Sequence, residues 1–245
     1  MNIGGFALIA MLAAQPQTAR PAAGASTASI SGLPGRLAHD AKRLFTTKTP
    51  PLILAGGGAA ALAVHPADHQ AVNRLSNSPG LENFFDAGQY IGDGYVQGLA
   101  AVSVYAIGYA AGNERTKDVG TSLVEAQLVN LVITQSLKYA VNRERPDGGN
   151  YSFPSGHASA TFVTADVLMQ HFGLKVGIFA YAGAAYVAVS RLSEKAHYLS
   201  DVVFGSAVGL ASARTLEVHA GKHALVVTPA PTPGGAAVFV HVMAR

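Results

Sequence analysis

From Tyr95 to about Val218 the chain runs through apolar stretches of helical length, Tyr95–Gly112, Thr121–Val141, His157–Phe172, Leu174–Arg191 and His197–Val218, joined by short polar segments. Joints that short oblige neighbouring helices to run antiparallel. The sequence therefore predicts an all-α fold, an antiparallel helical bundle of five or six core helices, with any polar site built between facing helices. Composition agrees: 49% of the 245 residues are hydrophobic and only 13% are charged, about half the usual charged share. Tyr95–Gly112 carries no full charge and is the best membrane-span candidate by length, yet its Ala and Gly content equally suits the centre of a compact bundle. Thr121–Val141 holds Glu125, Gln127 and Asn130, so part of it must face water or a partner.

A formal charge of +3 suits anionic surfaces or substrates, but there is no dense Lys/Arg run and no Trp, so nucleic acid is not an expected partner. With no cysteine, disulfides and thiolate chemistry are excluded.

Upstream of the bundle, Met1 to about Ala14 is an apolar run followed by small residues at Ala23-Gly24-Ala25, which reads as an export signal or an uncleaved anchor. Arg36–Lys48 places Leu37, Ala41, Leu44 and Phe45 on one helical face, an amphipathic segment that either lies on an anionic membrane or docks on the core. Pro50-Pro51 is expected to end it. Leu52–Val64 is apolar but short of the roughly 20 residues that span a bilayer. His65-Pro66-Ala67-Asp68-His69 offers metal-ligand types, but the proline and the lack of a further nearby ligand make a solvated turn the expectation. Phe84 and Phe85 are expected to dip into the core. At the other end, Ala224–Thr228 and Ala236–Val242 are β-branched runs around Pro229–Gly235, which predicts a short β-like C-terminal tail.

Three polar clusters carry chemistry. Lys138 and Arg145-Pro146 are spaced by about two helical turns, so both cations can converge on one anion as the helix ends. Ser152-Phe153-Pro154-Ser155-Gly156-His157 precedes an apolar helix, whose N-terminus aims backbone N–H groups at an anion while Ser155 adds a hydroxyl and His157 stands ready to protonate a leaving alkoxide. In the third, Ser190-Arg191 is followed by His197 and Asp201. If a helix begins there, these last two share a face, and the carboxylate holds one imidazole nitrogen and leaves the other free to attack. Arg191 adds a planar cation suited to phosphate oxygens.

Lys138 with Arg145-Pro146, Pro154-Ser155-Gly156-His157, and Ser190-Arg191 with His197 and Asp201 resemble the three-part signature of the type 2 phosphatidic acid phosphatase superfamily. That superfamily includes lipid phosphate phosphatases, bacterial class A acid phosphatases and vanadium haloperoxidases. The resemblance spans Lys138 to Asp201, with every signature position filled. It implies a phosphatase in which His197 carries a phosphohistidine, Asp201 orients it, and His157 protonates the leaving alcohol and then activates water. Lys138, Arg145, Ser155, Gly156 and Arg191 would bind the phosphate, and neither metal nor other cofactor is implied.

The domain organisation then reads as residues 1–25, signal or anchor; 26–51, linker and amphipathic segment; 52–222, the phosphatase helical domain; 223–245, a C-terminal tail or β-hairpin. The expected substrate is a phosphorylated lipid, of phosphatidate or polyprenyl diphosphate type, hydrolysed at the periplasmic face of a membrane after export. A soluble periplasmic acid phosphatase acting on small phosphoesters is the alternative. A vanadate-dependent haloperoxidase is disfavoured, because those enzymes are much longer.

Overall fold

The structure, a computed structural model, describes residues 32–216, 223–232 and 235–244. The export segment expected over residues 1–25 and the start of the linker therefore lie outside the described residues. The order is α1 (Leu33–Thr46), α2 (Thr49–Val64), a 3-10 turn (His65–Ala67), α3 (Asp68–Ser76), α4 (Pro79–Phe85), α5 (Ala87–Ile91), α6 (Gly94–Ala110), α7 (Glu114–Val141), α8 (Gly156–Phe172), α9 (Leu174–Ser193), α10 (Leu199–Ala213), β1 (His223–Thr232) and β2 (Gly235–Ala244).

Helix α10 runs through the centre, packed on α2, α8 and α7, while α6 packs on α7 and α9 on α8. Small residues permit this. A Cβ at Gly205 would lie 2.5 Å from the Ser155 carbonyl oxygen, and one at Gly209 would lie 2.2 Å from that of Ser159, so any larger residue would drive α10 off α8. The core is correspondingly fine-grained: Ala126, Val163, Val167 and Ala213 are fully buried in one cluster, and Ala158, Leu192 and Val202 are buried in a second near the helix ends.

The polar residues of α7 face partners. Arg36 of α1 pairs with Glu125, and Gln127 donates to the Ala160 carbonyl at 2.9 Å and to Thr164 Oγ1 at 3.1 Å. The Arg36 pair docks α1 on the bundle, but not through the whole expected face: Leu44 is buried beside Asp40, whereas Phe45 is 81% exposed. Phe84, expected in the core, is 63% exposed and stacks edge-on with Phe85 and Tyr186 at the surface.

Helix α1 ends not at Pro50-Pro51 but at Thr46, where Thr47 turns extended; the prolines instead open α2, where a first-turn proline loses no hydrogen bond. Gly56-Gly57-Gly58 stays helical against α10, with Gly57 facing Ala207 and Gly58 facing Phe204. Among the described residues, Thr49–Ser76 is consequently one of two helical stretches long and apolar enough to cross a membrane, with Leu174–Ser193 the other. The 17-residue α6, the best span candidate by sequence, is not one of them. Its outer surface is nonetheless apolar, with Tyr95, Leu99, Ile107 and Tyr109 all mostly exposed.

In the tail, β1 and β2 pair antiparallel from His223 opposite Ala244 to Thr232 opposite Gly235. Pro229 and Pro231 fall inside β1 rather than in a loop. Residues two apart share one phase of the ladder, so both prolines can occupy positions whose N–H would point away from the partner strand.

Candidate active site

The site lies where α7 ends and α8 and α10 begin. Helix α7 stops at Val141 because Asn142 adopts a left-handed conformation, φ 43°. Lys138 and Arg145 are thus brought together by a turn, not by spacing along one helix. The turn is closed by Gly149 N–H and Asp147 Oδ1 at 2.8 Å and by the Arg145 N–H to the Gly149 carbonyl at 2.7 Å. Lys138 Nζ donates to the Tyr151 carbonyl at 2.6 Å. Its Cε lies 3.7 Å from where a Cβ on Gly156 would be, which joins the first cluster to the second.

Ser155 is the N-cap of α8, its Oγ accepting from Ala158 N–H at 3.4 Å. Pro154 lies one residue before the cap rather than in the first turn. The Ser155 N–H is already committed to the Asp201 carbonyl at 3.0 Å; among the anion donors expected here, the Ser155 hydroxyl and the first-turn amides remain. His157, half-buried, is 3.0 Å from the Gln89 carbonyl through Nε2, so the α5 segment helps fix its ring.

The third cluster is set by a helix ending. Lys195 takes a left-handed φ of 56°, its N–H bonds to the Leu192 carbonyl at 3.1 Å, and the Ala196 N–H bonds to that of Arg191 at 3.0 Å. This is a Schellman cap. The Arg191 carbonyl also receives the His197 N–H at 3.2 Å, so one cap positions both Arg191 and His197.

His197 precedes α10 and does not share a helical face with Asp201, as spacing alone had predicted. Asp201, the third residue of α10, instead folds its carboxylate back over the helix start, where Oδ2 accepts from Tyr198 N–H at 2.8 Å and from Ser152 Oγ at 2.5 Å. That carboxylate oxygen lies 4.0 Å from His197 Nδ1. His197 is 3% exposed and its Nδ1 has no hydrogen-bond partner; the buried Arg145 Nε has none either.

Burial pushes the His197 imidazole well below its ordinary range, with Lys138 and Arg145 adding to the effect. His157 is lowered to about 4 by burial and then by Arg191. Lys138 is lowered to about 8 by burial and then by Arg145. Cations thus crowd one space around two neutral imidazoles, an arrangement complementary to an anion. Arg191 is 4% exposed and pairs with Glu194.

Residues 147–220 match the model of the PAP2 superfamily. Lipid A 1-phosphatase of Porphyromonas gingivalis is 32% identical over 119 residues, covering 46% of this chain and 26% of that protein. A PA-phosphatase related-family protein of Dictyostelium discoideum is 29% identical over 144 residues, covering 46% of this chain and 53% of its own length. The chain thus spans about a quarter to a half of these relatives. The crystal structure of Aquifex aeolicus LpxE shares the fold with a TM-score of 0.51 at 23% identity, covering 60% of this chain and 92% of that one. The PAP2 match takes in the second and third clusters, while Lys138 and Arg145 lie just before it.

Four residues beside the site escaped the sequence reading. Arg143 Nη1 donates to Asp201 Oδ1 at 2.6 Å and to Ser200 Oγ at 2.8 Å, and Nη2 donates to Asp68 Oδ2 at 2.8 Å. Asp68 is therefore not in a solvated turn. It is 2% exposed and accepts from Ser200 N–H and Oγ at 2.8 and 2.7 Å. Ser152 completes the set. A charged triplet, Arg143-Glu144-Arg145, in a chain so poor in charge was the available signal for Arg143; nothing in the sequence links Asp68 to Ser200. Among the described residues no group of three His, Cys, Asp or Glu side chains converges to hold a metal.

Proposed function

We propose that this chain is a phosphoric ester hydrolase that acts on a phosphorylated lipid through a phosphohistidine intermediate on His197. One observation carries the reading. A buried imidazole nitrogen and a buried guanidinium nitrogen, His197 Nδ1 and Arg145 Nε, lack partners, and Nδ1 lies 4.0 Å from a carboxylate that accepts from Arg143, Ser152 and the Tyr198 N–H. Buried orphan groups are costly: a tetrahedral oxyanion beside Arg145 gives its Nε a partner, and Asp201, 4.0 Å away, is the partner Nδ1 gains as His197 becomes cationic.

In the proposed reaction His197 Nε2 attacks phosphorus, the bond to the leaving oxygen breaks, and His157 supplies that oxygen's proton. The imidazole gains positive charge as the N–P bond forms, which draws Asp201 from 4.0 Å into hydrogen-bond contact with Nδ1. His157 then takes a proton from water, whose oxygen attacks phosphorus, and the N–P bond breaks to release inorganic phosphate. Lys138, Arg145 and Arg191 neutralise the equatorial oxygens with Ser155 and the Gly156 amide. His157 rests neutral in the cation-rich site; the negative charge of a bound phosphate raises it, so that it takes up from solvent the proton it then gives to the leaving oxygen.

A lipid substrate is supported by the similarity to lipid A 1-phosphatases, by two helices of spanning length and by the apolar outer face of α6. Membrane association, with the site on the exported face, belongs to the same proposal. The test is phosphate release by the detergent-solubilised chain, with EDTA present, from phosphatidate, a polyprenyl diphosphate, lipid A and an aryl phosphate, with His197→Gln as the blank. Turnover of the lipids in preference to the aryl ester is the expected result. Preference for the aryl ester would overturn the lipid assignment, and loss of activity with EDTA would overturn the metal-independent mechanism.

A further inference from the structure

We propose that Arg143 is a positioning residue for the His197–Asp201 pair, and that Asp68, by sharing its guanidinium, sets how much of that positive charge reaches Asp201. This rests on the phosphatase reading for its kinetic consequence, but its electrostatic core does not.

The geometry is over-determined. One guanidinium is forked between two buried carboxylates, Asp201 Oδ1 at 2.6 Å and Asp68 Oδ2 at 2.8 Å, and its Cζ lies 4.3 Å from the centre of the Tyr198 ring. Asp68 is held in turn by the Ser200 N–H and hydroxyl. Neither Asp68 nor Arg143 falls within the stretch that matches the PAP2 model. A carboxylate that must balance a forming imidazolium loses effect if a full cation sits on it, yet without a cation it would be a costly buried charge. Sharing Arg143 with Asp68 gives Asp201 part of a charge, and it fixes Oδ1 so that Oδ2 stays on the His197 side.

The groups around the pair are Lys138 from α7, Arg143 and Arg145 from the segment after it, His157 from α8, Arg191 and Glu194 from the end of α9, and Asp68 from α3, itself 4.0 Å from His65 Nε2. Among these, Arg143 and Asp68 act on His197 with opposite signs through one carboxylate. Removing Arg143 strengthens the anion beside His197 and raises its protonation. Removing the Asp68 charge concentrates Arg143 on Asp201 and lowers it.

The experiment is a 15N-histidine NMR titration of the full chain in detergent, with His197→Gln assigning the ring, alongside kcat and KM against pH. Arg143→Met is expected to move His197 protonation upward by about one pH unit or more, with the acid limb of kcat/KM moving alike. It should lower kcat by about 100-fold with KM changed less than about threefold. Arg143→Lys, a single point charge that cannot fork, should give a smaller upward shift and recover part of kcat; it carries the test if Arg143→Met does not fold. Asp68→Asn should shift His197 downward. No shift or an upward shift in Asp68→Asn, or none in the Arg143 variants, would overturn the inference. The titration needs no turnover, so a wild-type chain that releases no phosphate would defeat the phosphatase reading alone.

Discussion

Two buried carboxylates sit on the same three-helix core, and only one adjoins unfinished bonds. Asp166 of α8 accepts from Tyr181 Oη at 2.6 Å, Arg214 Nη2 at 2.6 Å and Gln170 Nε2 at 2.7 Å, tying α8 to α9 and to the residue after α10. Asp201 is equally well satisfied by Arg143, Ser152 and the Tyr198 N–H. The difference lies in what stands next to them. Beside Asp201 is His197 Nδ1, and Arg145 acts on that same imidazole; its Nε and the His197 Nδ1 are buried and unpartnered, whereas the Asp166 network closes on itself. Closed networks hold helices together; a closed network that abuts orphaned donors marks where chemistry is expected.

The widest separation between the two regions should come from deleting one member of each. His197→Gln is expected to lower turnover by about 1,000-fold or more while leaving thermal unfolding nearly unchanged. Asp166→Ala should do the reverse, costing about 3–5 kcal/mol because Arg214 is left buried without its counter-charge, with kcat per folded molecule intact. Denaturant unfolding and active-site-normalised kinetics on both variants check this, and a His197→Gln chain with near-normal turnover would erase the distinction.

Lys138→Ala should cost about 100- to 1,000-fold in kcat, the scale for one lost oxyanion donor. Its pKa near 8 also fixes a sign. The charge is present below about pH 8 and lost as pH rises through it, so wild-type kcat/KM should fall on the alkaline side, and Lys138→Arg should push that limb upward. A pH–rate profile of the two proteins decides it.

Anion binding should also move protons. His157, lowered to about 4, is neutral in the empty site at about pH 6, and an anion among the cations raises it. Sulfate, which holds no proton in this range, should therefore bind with net proton uptake, read by calorimetry in buffers of different ionisation enthalpy. The smaller effect expected at Asp166→Ala is none.

Much of this contrast was readable in advance, and the part that was not has physical causes. The bundle follows from apolar periodicity and short joints, and the eight expected site residues lie at or just beyond the ends of α7, α8, α9 and α10. The sequence misplaced His197 because i to i+4 spacing implies a shared helical face only if the helix has begun, and here a Schellman cap with a left-handed lysine delays it by two residues. It misplaced Asp68 because proline and histidines nearby suggested water, while the carboxylate's partners, Arg143 and Ser200, are 75 and 132 residues away. Long-range satisfaction of a buried charge leaves no local pattern. Phe84 erred the other way: apolar character does not require burial when helices expose an apolar belt.

The finest prediction concerns Glu194. Its carboxylate pairs with Arg191, one of the proposed phosphate-binding cations. An ester phosphate must share or displace that partner, so Glu194→Gln should lower KM by about two- to tenfold and leave kcat within about twofold. Burial, and the nearby Asp86 carboxylate, raise the Glu194 carboxyl above its usual range. On the acid side it therefore becomes neutral and releases Arg191 while other carboxylates are still charged. Wild-type KM should consequently fall as pH is lowered, approaching that of Glu194→Gln, and the two should diverge as rising pH ionises the Glu194 carboxyl. Parallel KM curves, separated by a constant factor, would mean that Glu194 acts on the shape of the cap at the end of α9 and not on the charge of Arg191.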